Sequence, residues 1–400
     1  MSCVFPPSSD SLPQEEADGA IVPQVLSRDS IGAPALAVDG DRLYLCYYSQ
    51  TAGKFLLRRS ADRGETWGAA LEVLGDTISN LASAECAMAK NGSSLFILAS
   101  DGTRIFLAQV DESGGTLSLA GCTEQDFGKC SPAIASMGAG FACACYDPSL
   151  IVETDPESCL LYGNSDNWAR DGITGAYTNS NALSYPEKWS TGAVAFGGLS
   201  LYVDSSGKTW LAEARNSESQ LRLVSYPSGS LTAASAAEAI DIGDTAPLNV
   251  GNALYPSIGY ADDSSCFLSY VGRTTDSSAK ALAFYFHFDT TGPSPTTANR
   301  AVVVDPSTGC SYPRTAYASG TAYIAYRDTS TRSLRFARGV LAADGSGCSF
   351  SRTTLDALGA AASDGICALA ASGTAVYIAY LDSAVGGLKF LRSTDGGLGW

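Results

Sequence analysis

The feature that most constrains this chain is an internal repeat. Gly320-Thr321-Ala322-Tyr323-Ile324-Ala325-Tyr326-Arg327-Asp328 is followed by Leu334-Arg335-Phe336-Ala337-Arg338. The same grammar returns about 54 residues later, a spacing that marks a radial or solenoid array. The second copy is Gly373-Thr374-Ala375-Val376-Tyr377-Ile378-Ala379-Tyr380-Leu381-Asp382, then Leu388-Lys389-Phe390-Leu391-Arg392. Near the start, Arg42-Leu43-Tyr44-Leu45-Cys46-Tyr47-Tyr48 precedes Lys54-Phe55-Leu56-Leu57-Arg58-Arg59 in the same way. A core built from such units escapes the size at which a single hydrophobic core stops growing, because each unit buries its surface against its neighbours. That accommodates 400 residues without invoking several unrelated domains.

Each unit reads as a meander. The first strand begins near a Pro or Cys, as in Ala33-Pro34, Ser131-Pro132, Tyr255-Pro256 and Tyr312-Pro313. After a Gly or Asp turn come an aromatic-rich second strand and an alternating third strand such as Leu221-Arg222-Leu223, the period-two signal of a half-buried strand. A shorter fourth strand, such as Leu71-Glu72-Val73-Leu74, leads onward. Second strands centre near Tyr44, Phe96, Cys143, Trp210, Phe267, Tyr323 and Tyr377. The expected fold is therefore all-β: a single seven-bladed β-propeller of four-stranded antiparallel blades. Residues 1–19 are expected to form a flexible tether and 20–400 the propeller. The last unit stops after its third strand, and Ala20-Ile21-Val22-Pro23-Gln24-Val25-Leu26 could supply the missing outer strand, which would bury an open edge. The alternative is that residues past Trp400 complete it.

Composition excludes several functions. Forty-one acids against 25 bases give a net charge of −16, with no basic stripe, so nucleic-acid binding is not expected. No apolar stretch is long enough for a membrane span. His287 is the only histidine, which argues against Ser–His–Asp hydrolysis and rules out a multi-histidine metal centre. Cys143-Ala144-Cys145 lacks zinc-ligand spacing, no Gly-rich phosphate loop is present, and the acidic loop Asp147 to Glu157 carries no calcium pattern; neither cofactor nor metal is expected. Twelve cysteines suit either disulfides or small buried residues; Cys122 and Cys130 are the first pair to test. Met1 to Pro23 has neither the basic start nor the apolar core of a secretory signal. Cys3 and the polar run after it resemble the mature start of a bacterial lipoprotein, which would imply a lipid anchor, but without the upstream signal the match is weak and a plain disordered terminus is the simpler reading.

Ser60-Ala61-Asp62-Arg63-Gly64-Glu65-Thr66-Trp67 matches Ser-x-Asp-x-Gly-x-Thr-Trp at every fixed position. Ser393-Thr394-Asp395-Gly396-Gly397-Leu398-Gly399-Trp400 matches again, with Gly399 replacing Thr. The carboxylate can bind turn amides, Gly permits a positive φ, and Trp packs between sheets. In this the chain resembles the Asp-box, or bacterial neuraminidase repeat, propellers of the sialidase-like superfamily, whose sialidases are six-bladed. The resemblance implies that Ser60, Asp62, Gly64, Thr66, Trp67, Ser393, Asp395, Gly397 and Trp400 are structural and lie opposite any active site. It also implies an arginine at the first inner strand, yet Gly32 stands there in Ile31-Gly32-Ala33-Pro34.

On the opposite rim, second strands end at Tyr326-Arg327-Asp328 and Tyr380-Leu381-Asp382, and Asp147 opens an irregular segment. A further insertion carries Trp168 and Trp189. Aromatic rings stack on sugar faces while carboxylates and arginines bind hydroxyls. Asp147, Trp168, Trp189, Tyr312, Arg314, Tyr326, Arg327, Asp328, Tyr380 and Asp382 are thus the ligand-binding candidates; blade packing is the plainer role for the tyrosines. No catalytic residues can be assigned. The leading expectation is an exported or cell-surface propeller that recognises carbohydrate or a surface partner without catalysis. The alternatives are a glycoside hydrolase, either a divergent exo-sialidase or another Asp-box enzyme, and a protein-interaction scaffold.

Overall fold

A computed structural model describes residues 21–74, 84–102, 104–125, 130–138, 140–147, 158–163, 199–215, 220–227, 238–241, 254–263, 265–273, 280–288, 300–341 and 348–400. The described residues are all-β and propeller-like, without a helix. Eight strands form one sheet with two halves. Half A comprises Ser30–Asp39, Arg42–Ser49, Lys54–Ser60 and Leu71–Leu74; half B comprises Glu85–Asn91, Ser94–Ser100, Ile105–Ser113 and Thr116–Gln125. A single parallel bridge, Ala33 to Glu85, joins the halves. Sheet C holds Cys130–Met137, Gly140–Asp147 and Ser158–Gly163, and sheet D holds Leu199–Val203, Thr209–Arg215, Gln220–Tyr226 and Glu238–Asp241. Sheet E runs Leu254–Ala261, Ser265–Arg273, Lys280–Phe288 and Arg300–Asp305. Sheet F runs Cys310–Ala318, Thr321–Asp328, Ser333–Leu341 and Cys348–Ala357. Sheet G combines Cys367–Ser372, Ala375–Asp382 and Gly387–Ser393 with Gln24–Ser27, which pairs antiparallel with Gly387–Ser393.

Each second-strand centre read from the sequence lies inside the second strand of its meander. Two of these strands, Thr321–Asp328 and Ala375–Asp382, are buried from end to end, because neighbouring sheets cover both faces. First strands of successive meanders lie side by side from A through G, and Cys367–Ser372 lies beside Ser30–Asp39, so the succession returns to its start. The core is correspondingly distributed between sheets. Tyr48, Phe55 and Leu57 of A pack with Ile97 and Phe106 of B. Phe96 and Leu98 of B meet Phe141 and Cys143 of C. At the other end, Tyr323 and Phe336 of F meet Ile378 and Tyr380 of G, and Tyr377 and Phe390 of G meet Leu43 and Leu45 of A.

Cys46, Cys86, Cys143, Cys266, Cys310 and Cys367 are buried free thiols in these interfaces, the small-apolar role of cysteine. Burial pushes the Cys143 and Cys266 thiols well up, so they stay protonated. The side chain of Cys130 lies outside the described residues, as does all of Cys3. No helix among the described residues is long and apolar enough to cross a membrane.

Candidate functional site

The meanders have two edges of different character. One carries the Asp-boxes, after the third strands of A and G. Ser60 Oγ donates to Asp62 Oδ1 at 2.7 Å and accepts from Gly64 N at 2.8 Å, while Thr66 N donates to Asp62 Oδ1 at 2.9 Å. The second copy repeats this: Ser393 Oγ to Asp395 Oδ1 at 2.7 Å, Gly397 N to Ser393 Oγ at 2.8 Å, and Gly399 N to Asp395 Oδ1 at 2.9 Å. The amide therefore matters more than the threonine hydroxyl, which explains why Gly399 serves. Gly64 and Gly397 have φ of 84° and 81°, and a Cβ there would strike Phe390 and Phe336 respectively. Trp67 and Trp400 pack edge-on against those same rings at 5.3 and 4.9 Å. Each box pins its meander to the preceding sheet. Also on this edge, Arg59, Arg42 and Lys90 surround the buried Glu112 at 2.7, 3.6 and 3.9 Å, and Tyr44 donates to it. That convergence of cations is satisfied by the protein's own carboxylate.

The opposite edge holds two ion clusters between sheets. Asp305, at the end of sheet E, accepts from Tyr326 Oη at 2.6 Å and pairs with Arg335 at 3.0 Å and Arg352 at 2.9 Å; Arg335 also lies 3.6 Å from Asp328. One sheet on, Asp356 accepts from Tyr380 Oη at 2.6 Å, and Lys389 pairs with Asp356 at 2.7 Å and Asp382 at 2.6 Å. Burial pushes the Asp305 carboxyl up, but bonds from Tyr326 and Ser307 and the charge of Arg352 outweigh it and hold it below its usual range. Tyr326 and Tyr380 are driven far above the ordinary phenol range, first by burial and then by these carboxylates. Tyr326, Asp328, Tyr380 and Asp382 were read as rim contacts for a ligand. They are instead fully enclosed, at 0–1% exposure: the two phenols reach carboxylates of the preceding sheet, Asp382 accepts from Gly359 N in the connection from F to G, and Asp328 is held within its own meander by Ser330 and Arg335.

Tyr312, Arg314 and Arg327 stand differently. The first strands of E and F each open with a β-bulge, between Leu254 and Ser257 and between Ser311 and Arg314. The bulges place Tyr255 and Tyr312 at φ of 56° and 51°. A bulky residue in the left-handed region is an outlier that costs on the order of 1–3 kcal/mol and concentrates at ligand sites. The two rings lie 4.5 Å apart at 42°, half-buried. Burial raises the Tyr255 phenol, helped by Tyr312 and opposed by the nearby Arg327. Arg327 is 9% exposed and donates to the Ala361 carbonyl at 3.1 Å and to the Ala362 carbonyl, in the connection between F and G. Arg314, half-buried, donates to Pro313 O at 3.2 Å. Tyr255 was missed among the sequence candidates, and the repeated Tyr-Pro at 255 and 312 was the signal that could have found it.

The bulge position in half A is Gly32, at φ 77°, where a Cβ would lie 1.9 Å from the Ala84 carbonyl oxygen. No side chain fits there, arginine included. Asp147 ends a strand of sheet C, paired with Ser158, but its side chain, Trp168 and Trp189 lie outside the described residues. Among the described residues no group of three or more His, Cys, Asp and Glu is placed to hold a metal.

No family model matches the sequence, and no curated protein matches it. Solved structures with a similar chain course include an α-L-arabinanase of Penicillium chrysogenum, at 10% identity and TM-score 0.47 over 95% of this chain and 98% of that one. A puromycin-hydrolysing peptidase of Mycobacterium tuberculosis has 13% identity and TM-score 0.47 over 96% and 57%. An endosialidase of phage phi92 has 12% identity and TM-score 0.47 over 96% and 69%. An arabinanase, a peptidase and an endosialidase at equal likeness select no chemistry among themselves.

Proposed function

We propose that residues 20–400 form a single seven-bladed propeller of the Asp-box class, closed by Gln24–Ser27, that acts on carbohydrate at the edge opposite its Asp-boxes. Supporting the blade count are the meanders A to G and the core clusters between successive pairs of them. The observation that carries the ligand class is the Tyr255–Tyr312 pair. Two half-buried aromatic faces, held at a conformational cost beside arginine, suit the apolar face of a sugar ring with its hydroxyls at the guanidinium. The insertions bearing Asp147, Trp168 and Trp189 are proposed as one wall of the same groove, in an exported or cell-surface protein.

The expectation of a non-catalytic propeller rests on the fold, the rim and the arginine absent at Gly32. What Gly32 lacks is one arginine of a carboxylate clamp, whereas glycosidic hydrolysis in general runs on a pair of carboxylates. Hydrolysis is therefore the leading reading and plain binding the second. The test is a glycan array alongside chromogenic arabinosides, galactosides and sialosides, with the intact chain and Tyr312→Ala. Turnover, or array binding weakened about tenfold by the substitution, is expected, a loss of about 1.4 kcal/mol. Binding without turnover would return the non-catalytic reading, and neither signal would leave the interaction scaffold.

A further inference from the structure

Among the described residues the Arg327 guanidinium has no counter-ion. Arg327, Arg335 and Lys389 are the cationic residues that are buried among the described residues. Arg335 faces Asp305 and Asp328, and Lys389 faces Asp356 and Asp382. Among the described residues Arg327 forms no ion pair, and its hydrogen bonds go to two neutral carbonyls. A charge taken out of water without an opposite charge is costly, which is why buried cations are normally paired. Its Nε–H, moreover, is buried without an acceptor. A guanidinium offers five donors, so binding capacity remains.

A second orphan lies beside it. Ser311 is the ladder partner of Arg327, so the two side chains leave the sheet on the same face, with Cβ atoms about 5 Å apart. Ser311 Oγ is also buried without a hydrogen-bond partner. An unpaired hydroxyl and an unpaired guanidinium N–H, on the same face of one strand pair and with the guanidinium close enough to act on Tyr255, are donors lacking an acceptor. Arg314, on the same strand, also forms no ion pair among the described residues and adds positive charge.

Resting on the carbohydrate reading above, we infer that the ligand is an acidic glycan whose oxyanion, a carboxylate or a sulfate, is bound by Arg327 and Ser311. A neutral sugar would leave the buried charge uncompensated. The −16 net charge repels such a polymer at long range, but at physiological salt that field decays within about 8 Å, so the local donors decide.

Titration calorimetry of the intact chain separates the possibilities, using oligogalacturonate, a sulfated galacto-oligosaccharide and its unsulfated counterpart. At least one acidic probe is expected to bind tenfold or more tighter than the neutral one, with the gap shrinking between 0.05 and 0.5 M salt, as charge recognition requires. Whichever acidic probe prevails identifies the oxyanion. Ser311→Ala, a small change that leaves the Arg327 clamp on Ala361 and Ala362 in place, is expected to cut acidic binding three- to tenfold and so to narrow the gap between acidic and neutral probes. Arg327→Lys, which keeps the charge and loses the Nε donor, should act in the same direction. Equal binding of acidic and neutral probes would overturn the inference while the carbohydrate reading stood. Absence of binding by all three, together with an empty glycan array, would overturn both.

Discussion

Replacing Lys389 by Met asks whether the ion cluster between sheets F and G holds the fold together. Lys389 is 9% exposed and bridges Asp356 at 2.7 Å and Asp382 at 2.6 Å. The Asp382 side chain is fully buried, and its other oxygen is occupied by Gly359 N and Ala384 N. Removing the lysine leaves that carboxylate facing a methyl group, and breaking a buried pair from one side costs about 3–5 kcal/mol. Adding Asp382→Asn removes the stranded charge and should restore 1 kcal/mol or more, a coupling a double-mutant cycle reads directly. The pH dependence has a defined sign at both ends. Burial raises the Asp382 carboxyl, but Lys389 and the two amides hold it below 3.8, so its contribution is complete above that value and is lost as pH falls through the lower folded one. Burial lowers Lys389, but its two carboxylates hold it above 10.5, so its contribution is complete below that and is lost as pH rises past the folded value. Urea midpoints across this range should therefore show a constant gap between wild type and Lys389→Met from about pH 5 to 9, narrowing outside it. A gap within about 0.5 kcal/mol throughout would refute the argument, since that is what an ordinary surface substitution costs.

Three further outcomes follow from geometry already described. Gly32→Ala should lower the melting temperature sharply, because the left-handed backbone alone costs about 1–2 kcal/mol and its Cβ meets the Ala84 oxygen at 1.9 Å. Trp67→Ala should cost about 3–5 kcal/mol in urea denaturation yet leave glycan binding at the opposite edge unchanged. Asp29→Asn should flatten the acid limb of the stability curve by about 1–2 kcal/mol, because bonds from Ser27, Ser49 and Thr51 overcome burial and hold this carboxyl at about 2, so that its contribution fades as pH falls from about 4 towards 2.

The strands were legible because their signals are local. Alternation, aromatic runs and Gly or Asp turns recur with each meander, and burial on both faces of second strands produces the continuous apolar runs that make them conspicuous. Site residues were legible only in part. Tyr326 and Tyr380 look like rim aromatics in a linear reading, but their phenols turn towards carboxylates of the preceding sheet, a partnership between residues 21 and 24 positions apart that no spacing rule announces. Tyr312, Arg314 and Arg327 stand out in the linear reading, whereas Tyr255 does not, because a positive φ at a tyrosine is a property of the bulge. Ser311 escaped for the same kind of reason: an unsatisfied hydroxyl is defined by what surrounds it.

The lateral bond from Ala33 N to the Ala84 oxygen, at 3.0 Å, makes two neighbouring meanders share backbone as well as side chains. Contacts between apolar surfaces slide and tilt at little expense, but a directed amide–carbonyl bond fixes both distance and angle. Halves A and B are therefore fixed in distance and angle at the edge opposite the Asp-boxes, so that a shift of one strand there carries the other with it.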